Sequence, residues 1–264
     1  MPGILLRIPY IQNKVSEVAT TQLSGHLGVP VKIGNVDIEW FNRLVLEGLY
    51  LEDQDGKVMF EANHVAAGFE IMPLLEGKFV FTTVRLFGFS FNLRKHTPES
   101  PLNLQFVIDA FASKDSIKKE KNIDLRFNSI MIRRGNFSYN VDSEKETPGK
   151  FNAKHIDIKN LSAKISLKAF NKDSVNAHIK KMSFDEASGF SLNKLSLNVV
   201  GNRDSAFVQD FEVRLPQTDL KIGRARIDLS EIDSLPALLN NAPIDLNITP
   251  SQICLKDLSP FVPA

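Results

Sequence analysis

Val84-Arg85-Leu86-Phe87-Gly88-Phe89-Ser90-Phe91-Asn92-Leu93 alternates apolar residues with polar or small ones. A period of two belongs to an extended strand, whose successive side chains point to opposite faces. Read by strict alternation, Phe87, Phe89, Phe91 and Leu93 line one face while Val84 and Leu86 occupy the other. Both faces are then partly apolar. Either the strand lies beneath a helix on one side, or one of its faces meets an apolar ligand that is not protein.

The same period governs most of the chain. Upstream, Ile11, Val15, Val18, Ala19 and Leu23 recur at helical spacing from Pro9 onward, until Gly28 and Pro30 stop the helix. Val31–Ile33, Val36–Trp40, Leu44–Leu46 and Leu49–Leu51 then read as strands, with Asp53-Gln54-Asp55-Gly56 as a hairpin turn. Alternation resumes from Val58 to Ile71, breaks at Pro73–Gly77, and returns at Phe79. A short helix is expected over Pro101–Phe111, with Ser100 as its cap and Pro101 in the first helical position. Strand patterns follow at Ile123–Ile132, Phe137–Val141, Phe151–Ala169, Val175–Phe184, Phe190–Val200, Ala206–Leu215 and Leu220–Leu229. Glu231–Asn240 reads as a third short helix, and Ile244–Ile248 and Ile253–Leu255 as final strands.

This divides the chain into residues 1–113, an N-terminal helix plus a first β segment; a charged linker at 114–122; and a continuing β segment at 123–264, with a short helix near 231–240. The fold class expected is mostly β with a few helices (α+β): one elongated, strongly curved antiparallel sheet.

Strict alternation is repeatedly interrupted by two polar or small residues, so that apolar positions fall three apart. Ile33-Gly-Asn-Val36, Leu46-Glu-Gly-Leu49, Ala62-Asn-His-Val65 and Phe81-Thr-Thr-Val84 are early examples. Phe127-Asn-Ser-Ile130, Ala153-Lys-His-Ile156, Ile158-Lys-Asn-Leu161, Ile179-Lys-Lys-Met182, Leu192-Asn-Lys-Leu195 and Val208-Gln-Asp-Phe211 repeat the step. A one-residue slip would throw every later side chain to the wrong face, so each step must be a bulge or a turn. Bulges at similar heights on neighbouring strands bend a sheet along a common line, and the expected product is a trough. A dozen strands at ~4.8 Å spacing give a sheet about 60 Å long, with walls of about 30 Å if each strand has eight to ten residues.

Composition narrows the function classes. The chain has 264 residues, with 32 Lys+Arg against 31 Asp+Glu and a net charge of +1, which gives no electrostatic reason to expect a nucleic-acid partner. Its 19 Phe against three Tyr and one Trp favour apolar surface without polar tips. The single cysteine, Cys254, excludes an internal disulfide and a multi-cysteine metal site. No glycine-rich phosphate loop, nucleophile elbow or zinc-protease motif occurs. His26, His64, His96, His155 and His178 lack ligand spacing, and Asp53–Gly56 has His64 where a calcium loop needs glutamate. Lys118-Lys119-Glu120-Lys121 reads as a solvated loop. No enzyme, cofactor or metal is therefore expected. The apolar stub Ile4–Leu6 is far shorter than a membrane span, and the abrupt ends read as those of a piece cut from a longer protein.

Several segments carry a family likeness. Leu5-Leu-Arg-Ile-Pro-Tyr-Ile-Gln-Asn13, the stretch from Leu23 to Ile38, and Leu49-x-Leu51-x-Asp53 with Gly56 resemble the N-terminal region of AsmA-like proteins of the TamB type, in the version found in Bacteroidota. Asn103–Phe111, Ile130-x-Ile132-Arg133-Arg134-Gly135, Ser188-Gly189-Phe190 and Phe211–Thr218 look like the same family. The resemblance implies a periplasmic rod of repeating β-groove, the β-taco, related in architecture to eukaryotic bridge-like lipid-transfer proteins. It implies a preceding inner-membrane anchor, phospholipid as the cargo carried between inner and outer membranes, and an outer-membrane barrel partner reached through a further C-terminal region. It brings no catalytic residues and no cofactor. On that reading the candidate lining residues are Phe60, Phe69, Phe87, Phe89, Phe91, Phe127, Ile130, Ile132, Phe137, Phe184, Leu195, Leu197, Phe211 and Val213, and the leading helix caps one end of the trough. The competing reading is a structural assembly factor for outer-membrane proteins, working through exposed strand edges.

Overall fold

A computed structural model describes residues 9–39, 42–72, 79–111, 123–170, 174–202, 204–228 and 244–262. Helix α1 (Pro9–Leu27) ends where Gly28 takes φ 70° and its N–H donates to the Ser24 carbonyl at 2.8 Å, the left-handed cap that glycine adopts without penalty. Strands β1 (Val31–Lys32), β2 (Asn35–Glu39), β3 (Arg43–Glu52), β4 (Val58–Phe69) and β5 (Phe79–Lys95) follow. Helix α2 (Gln105–Phe111) precedes β6 (Ile123–Val141), β7 (His155–Phe170), β8 (Ser174–Glu186), β9 (Ser191–Asn202), β10 (Ser205–Arg214), β11 (Asp219–Asp228) and β12 (Ile244–Ile248). A 3₁₀ helix spans Leu255–Phe261.

All the described strands belong to one 12-stranded open sheet in which β3 to β12 lie in chain order, while β1 and β2 share the outer edge of β3. Neighbours are antiparallel except β5 and β6, which run parallel from Phe79↔Ile123 to Lys95↔Val141. A parallel pair cannot be joined by a hairpin, so the chain returns through a crossover that contains α2. The sheet continues unbroken through this pair, where the sequence places a linker between two β segments.

The crossover is held by a polar knot at the end of β5. Asp53 is 2% exposed and receives Arg94 Nη2 at 3.1 Å and Asn103 Nδ2 at 3.0 Å on one oxygen. Its other oxygen accepts the backbone N–H groups of Asp55 and Lys57. Asn103 also accepts the Arg94 backbone N–H. Burial pushes the Asp53 carboxyl up, but these hydrogen bonds and the Arg94 charge outweigh it and hold the group below its ordinary value.

Residues with positive φ mark a bend line across the sheet. Gly48, Gly88, Arg134, Asn160 and Asp210 have φ of 61°, 58°, 51°, 56° and 52°. On β3, β5 and β6 they are at matched height, each between the cross-strand files Glu47–His64–Phe87–Arg133 and Leu49–Ala62–Phe89–Gly135. Register shifts continue the line at Lys159/Ser162, Ile179/Met182, Gln209/Glu212 and Ile222/Arg224. Four of these positions fall in the apolar-x-x-apolar steps of the sequence, Leu46–Leu49, Ile158–Leu161, Ile179–Met182 and Val208–Phe211, whereas those at Gly88, Arg134 and Ile222/Arg224 do not. Because the bend lies within strands, one strand supplies both sides of it, and β6 runs for 19 residues, about 60 Å of contour at ~3.3 Å per residue.

Some boundaries differ from expectation. Helix α2 begins at Gln105, not Pro101, because Asn103 is committed to Arg94 and Asp53; Ser100 instead closes a turn with Thr97. Strand β7 begins at His155 rather than Phe151, whose N–H donates to the Pro260 carbonyl. Ile253–Leu255 forms no strand; Gln252 makes an isolated bridge with Asp219 and the 3₁₀ helix follows. The stub Ile4–Leu6, the break Pro73–Gly77, the linker 114–122 and the helix near 231–240 lie outside the described residues.

Candidate ligand-binding face

The register sorts side chains onto two faces. One cross-strand file runs Val36–Leu46–Val65–Leu86–Ile132–Ala163–Met182–Leu195–Val213–Leu220, from β2 to β11, with no polar residue in it. At ~4.8 Å per strand it is about 43 Å long. Beside it runs Ile38–Leu44–Ala67–Val84–Ile130–Ile165–Ile179–Leu197. Across the bend, Leu51, Phe60, Phe91, Phe137 and Ile158 form a third file. Its rings touch edge to face, Phe60 to Phe91 at 5.7 Å and Phe91 to Phe137 at 6.2 Å between centroids.

Most of the expected lining residues share this face. Phe60, Phe69, Phe89, Phe91, Ile130, Ile132, Phe137, Phe184, Leu195, Leu197, Phe211 and Val213 lie on it by register. Phe87 does not. It pairs with His64 on one side and Arg133 on the other, on the polar face, because Gly88 turns the strand through the left-handed region between Leu86 and Phe89. Strict alternation read Phe87-Gly-Phe89-Ser-Phe91 as one row; the true step is Leu86-x-x-Phe89, hidden because one of the intervening residues is itself aromatic. The side chain of Phe127 lies outside the described residues. Leu46, Val65, Leu86, Met182 and Leu220, missing from the expected set, belong to the same face. The apolar-x-x-apolar steps marked most of them.

Among the described residues, few cover this face. At its first end Leu23 and Leu27 of α1 rest on Val31, Ile33 and Val36, together with Leu44, Leu46, Leu49 and Leu51 of β3. Ser24 Oγ and Thr20 Oγ1 accept the N–H groups of Val31 and Ile33, which ties the helix to this end. Helix α2 is joined to α1 by a hydrogen bond between His26 Nε2 and the Ala110 carbonyl. Along β6 to β11 the principal packing partners of each strand are its sheet neighbours. Phe89 at 6% and Phe69 at 9% are buried, but Phe60, Phe91, Ile132, Phe137, Phe184, Leu195, Leu197, Phe211 and Val213 are half-buried. The accessible surface totals 17122 Å², against about 11,600 Å² for a compact monomer of this size.

A second aromatic chain lies where β6 connects to β7 and β8 to β9. Phe184 faces Phe190 at 6.1 Å, Phe190 meets Phe261 at 5.0 Å, and Phe261 meets Phe151 at 5.0 Å. The 3₁₀ helix that presents Phe261 is held by Lys150 Nζ, which donates to the Ser259 and Val262 carbonyls.

Among the described residues no His, Cys, Asp and Glu group is arranged to hold a metal, and no helix is long and apolar enough to cross a membrane. The geometry defines an open, curved single-sheet β protein with one continuous apolar face. No family model matches the chain, and no curated protein matches it.

Proposed function

We propose that this chain is a phospholipid-conducting groove, with acyl chains lying along the apolar face and head groups left in solvent. The observation that carries the reading is the unbroken apolar file from Val36 to Leu220. Burying a ~16-carbon chain releases on the order of 13 kcal/mol at ~0.8 kcal/mol per methylene, so a path that never exposes the chain to water removes the main obstacle to moving it. That task needs no catalytic group. In the wider reading the chain is a segment of an inner-membrane-anchored, periplasmic protein of the AsmA-like, TamB type, carrying lipid to the outer membrane. The sequence likeness supports this, as does a bend line built from repeated apolar-x-x-apolar steps. Native mass spectrometry of the gently purified chain tests the core of it: more than one phospholipid per chain is expected, and a chain that stays lipid-free after incubation with liposomes would refute it.

A second reading, an assembly scaffold for outer-membrane protein segments, draws on the open edge at β12, where Leu246 and Ile248 are exposed. It would be favoured if an unfolded barrel segment protected the β12 amides from hydrogen exchange while lipid failed to bind.

A further inference from the structure

We propose that Arg133, Arg134, Lys164 and Lys181 form a binding site for a phosphorylated small molecule on the polar face of the sheet, at the bend line. The site stands on its own residues and does not depend on the lipid reading.

These exposed side chains, with Ser162 and Ser183, line an open cavity of about 590 Å³. The register sets like charges side by side. Lys164 and Lys181 are directly opposite one another on β7 and β8, and like charges so placed repel. Arg133 and Arg134 are adjacent in the chain and add two more cations. None of the four is ion-paired among the described residues. Several acids are paired with other cations: Asp53 and Asp55 hold Arg94, Glu144 holds Lys154, and Glu212 holds Lys194 and Arg214. In a chain of net charge +1, this is a local cluster of positive charge with no ion-pair partner among the described residues.

One of the cations is placed in advance. The guanidinium carbon of Arg134 lies 4.2 Å from the centre of the Phe87 ring, and the residue sits at φ 51°. Cation–π attraction to the ring holds the guanidinium in place while its N–H donors stay available to an oxyanion. This gives Phe87 a role on the polar face.

Size and chemistry select the ligand class. A cavity of about 590 Å³ falls in the range of small-molecule sites and exceeds what one inorganic phosphate fills. Several cations and two hydroxyls suit a phosphoryl dianion, and the half-buried Met131 offers an apolar surface for the organic part. A soluble phosphate ester and the head group of an anionic lipid share this chemistry.

The test uses the full chain and separates those sources. Calorimetric titration with glycerol 3-phosphate at low salt is expected to saturate, and the Lys164→Gln/Lys181→Gln variant is expected to bind at least ~10-fold more weakly. Without ligand the variant should unfold at an equal or higher urea concentration, because the opposed charges are gone; a lower midpoint would mark the lysines as structural and overturn the assignment. In parallel, sedimentation with phosphatidylcholine vesicles containing or lacking phosphatidic acid reads the head-group arm. Saturation by glycerol 3-phosphate assigns a soluble ester, and acid-dependent sedimentation alone, lost in the variant, assigns the lipid head group. Binding to neither probe, or binding that the substitutions leave unchanged, overturns the site.

Discussion

The ring of Phe89 lies where a side chain on Gly135 would be. A β-carbon built on Gly135 would come within 2.2 Å of Phe89 Cε1 and 2.4 Å of its Cζ. The two residues are direct partners across the parallel β5–β6 pair, on the apolar face beside the bend. The missing side chain at 135 is what lets Phe89 lie down and become buried in an otherwise open face.

Gly135→Ala should therefore destabilise the fold by about 1–3 kcal/mol, the usual range for overpacking, since a ring must leave its place. Phe89→Leu in the same chain should recover part of the loss, because a smaller side chain vacates the space. Urea unfolding of the two single variants and the double variant gives the coupling. Strictly additive losses would mean that ring and glycine do not compete.

The bend line makes a second prediction. Gly88 sits at φ 58°, and a β-carbon there would also approach Asn63 Nδ2 to 2.6 Å. Gly88→Ala then combines left-handed strain with a contact, and a loss of about 1–3 kcal/mol is expected. Asp210 holds the same conformation at φ 52° as a non-glycine residue, with a hydrogen bond from Asn198 at the exposed surface. Asp210→Gly relieves strain and loses that bond, so its unfolding midpoint should move by less than about 0.5 kcal/mol equivalent. Equal losses at 88 and 210 would show that backbone conformation is not what these positions share.

The polar knot predicts an acid limb. The Asp53 carboxyl titrates below its ordinary 3.8 in the folded chain, so its contribution is fully present above that value and is lost as pH falls through the lower folded one. Unfolding midpoints measured from pH 7 down to pH 2 should fall most steeply below about pH 4. Asp53→Asn should flatten that limb and lower stability at pH 7 by about 1–3 kcal/mol, since buried donors lose a charged acceptor. An unchanged limb in the variant would place the acid sensitivity elsewhere.

How far the sequence discloses this molecule depends on whether a local step is chemically marked. Leu46-Glu47-Gly48-Leu49 announces its bend, because charged and glycine residues interrupt an apolar row. Leu86-Phe87-Gly88-Phe89 makes the same turn in the same file, yet the intervening phenylalanine completes a false alternation and moves Phe87 to the wrong face. The parallel pairing of β5 with β6 is set by where the crossover returns, and nothing in the period of either strand encodes direction. Ser100 and Pro101 look like a helix start, but Asn103 is needed by Arg94 and Asp53, and that tertiary demand delays the helix to Gln105. The cationic cluster was invisible for a related reason: Arg133, Arg134, Lys164 and Lys181 come together through the register across three strands, not through any run in the chain.

The two faces themselves give the last prediction. Leu197 and Phe91 are half-buried on the apolar face, whereas Phe87 is on the other. A carboxylate at 197 or 91 places a charge in the acyl path, where an unpaired ion costs several kcal/mol to strip of water. Leu197→Glu and Phe91→Glu should each reduce the phospholipid retained per chain, read by native mass spectrometry alongside extraction of bound lipid. Phe87→Glu should leave loading of phosphatidylcholine at the parental level, because that residue faces away from the apolar files, while removing the ring beneath Arg134. Circular dichroism confirms that each variant is folded before loading is compared. If Phe87→Glu empties the chain as thoroughly as Leu197→Glu does, the lipid path does not follow the apolar files, and the face assignment is wrong.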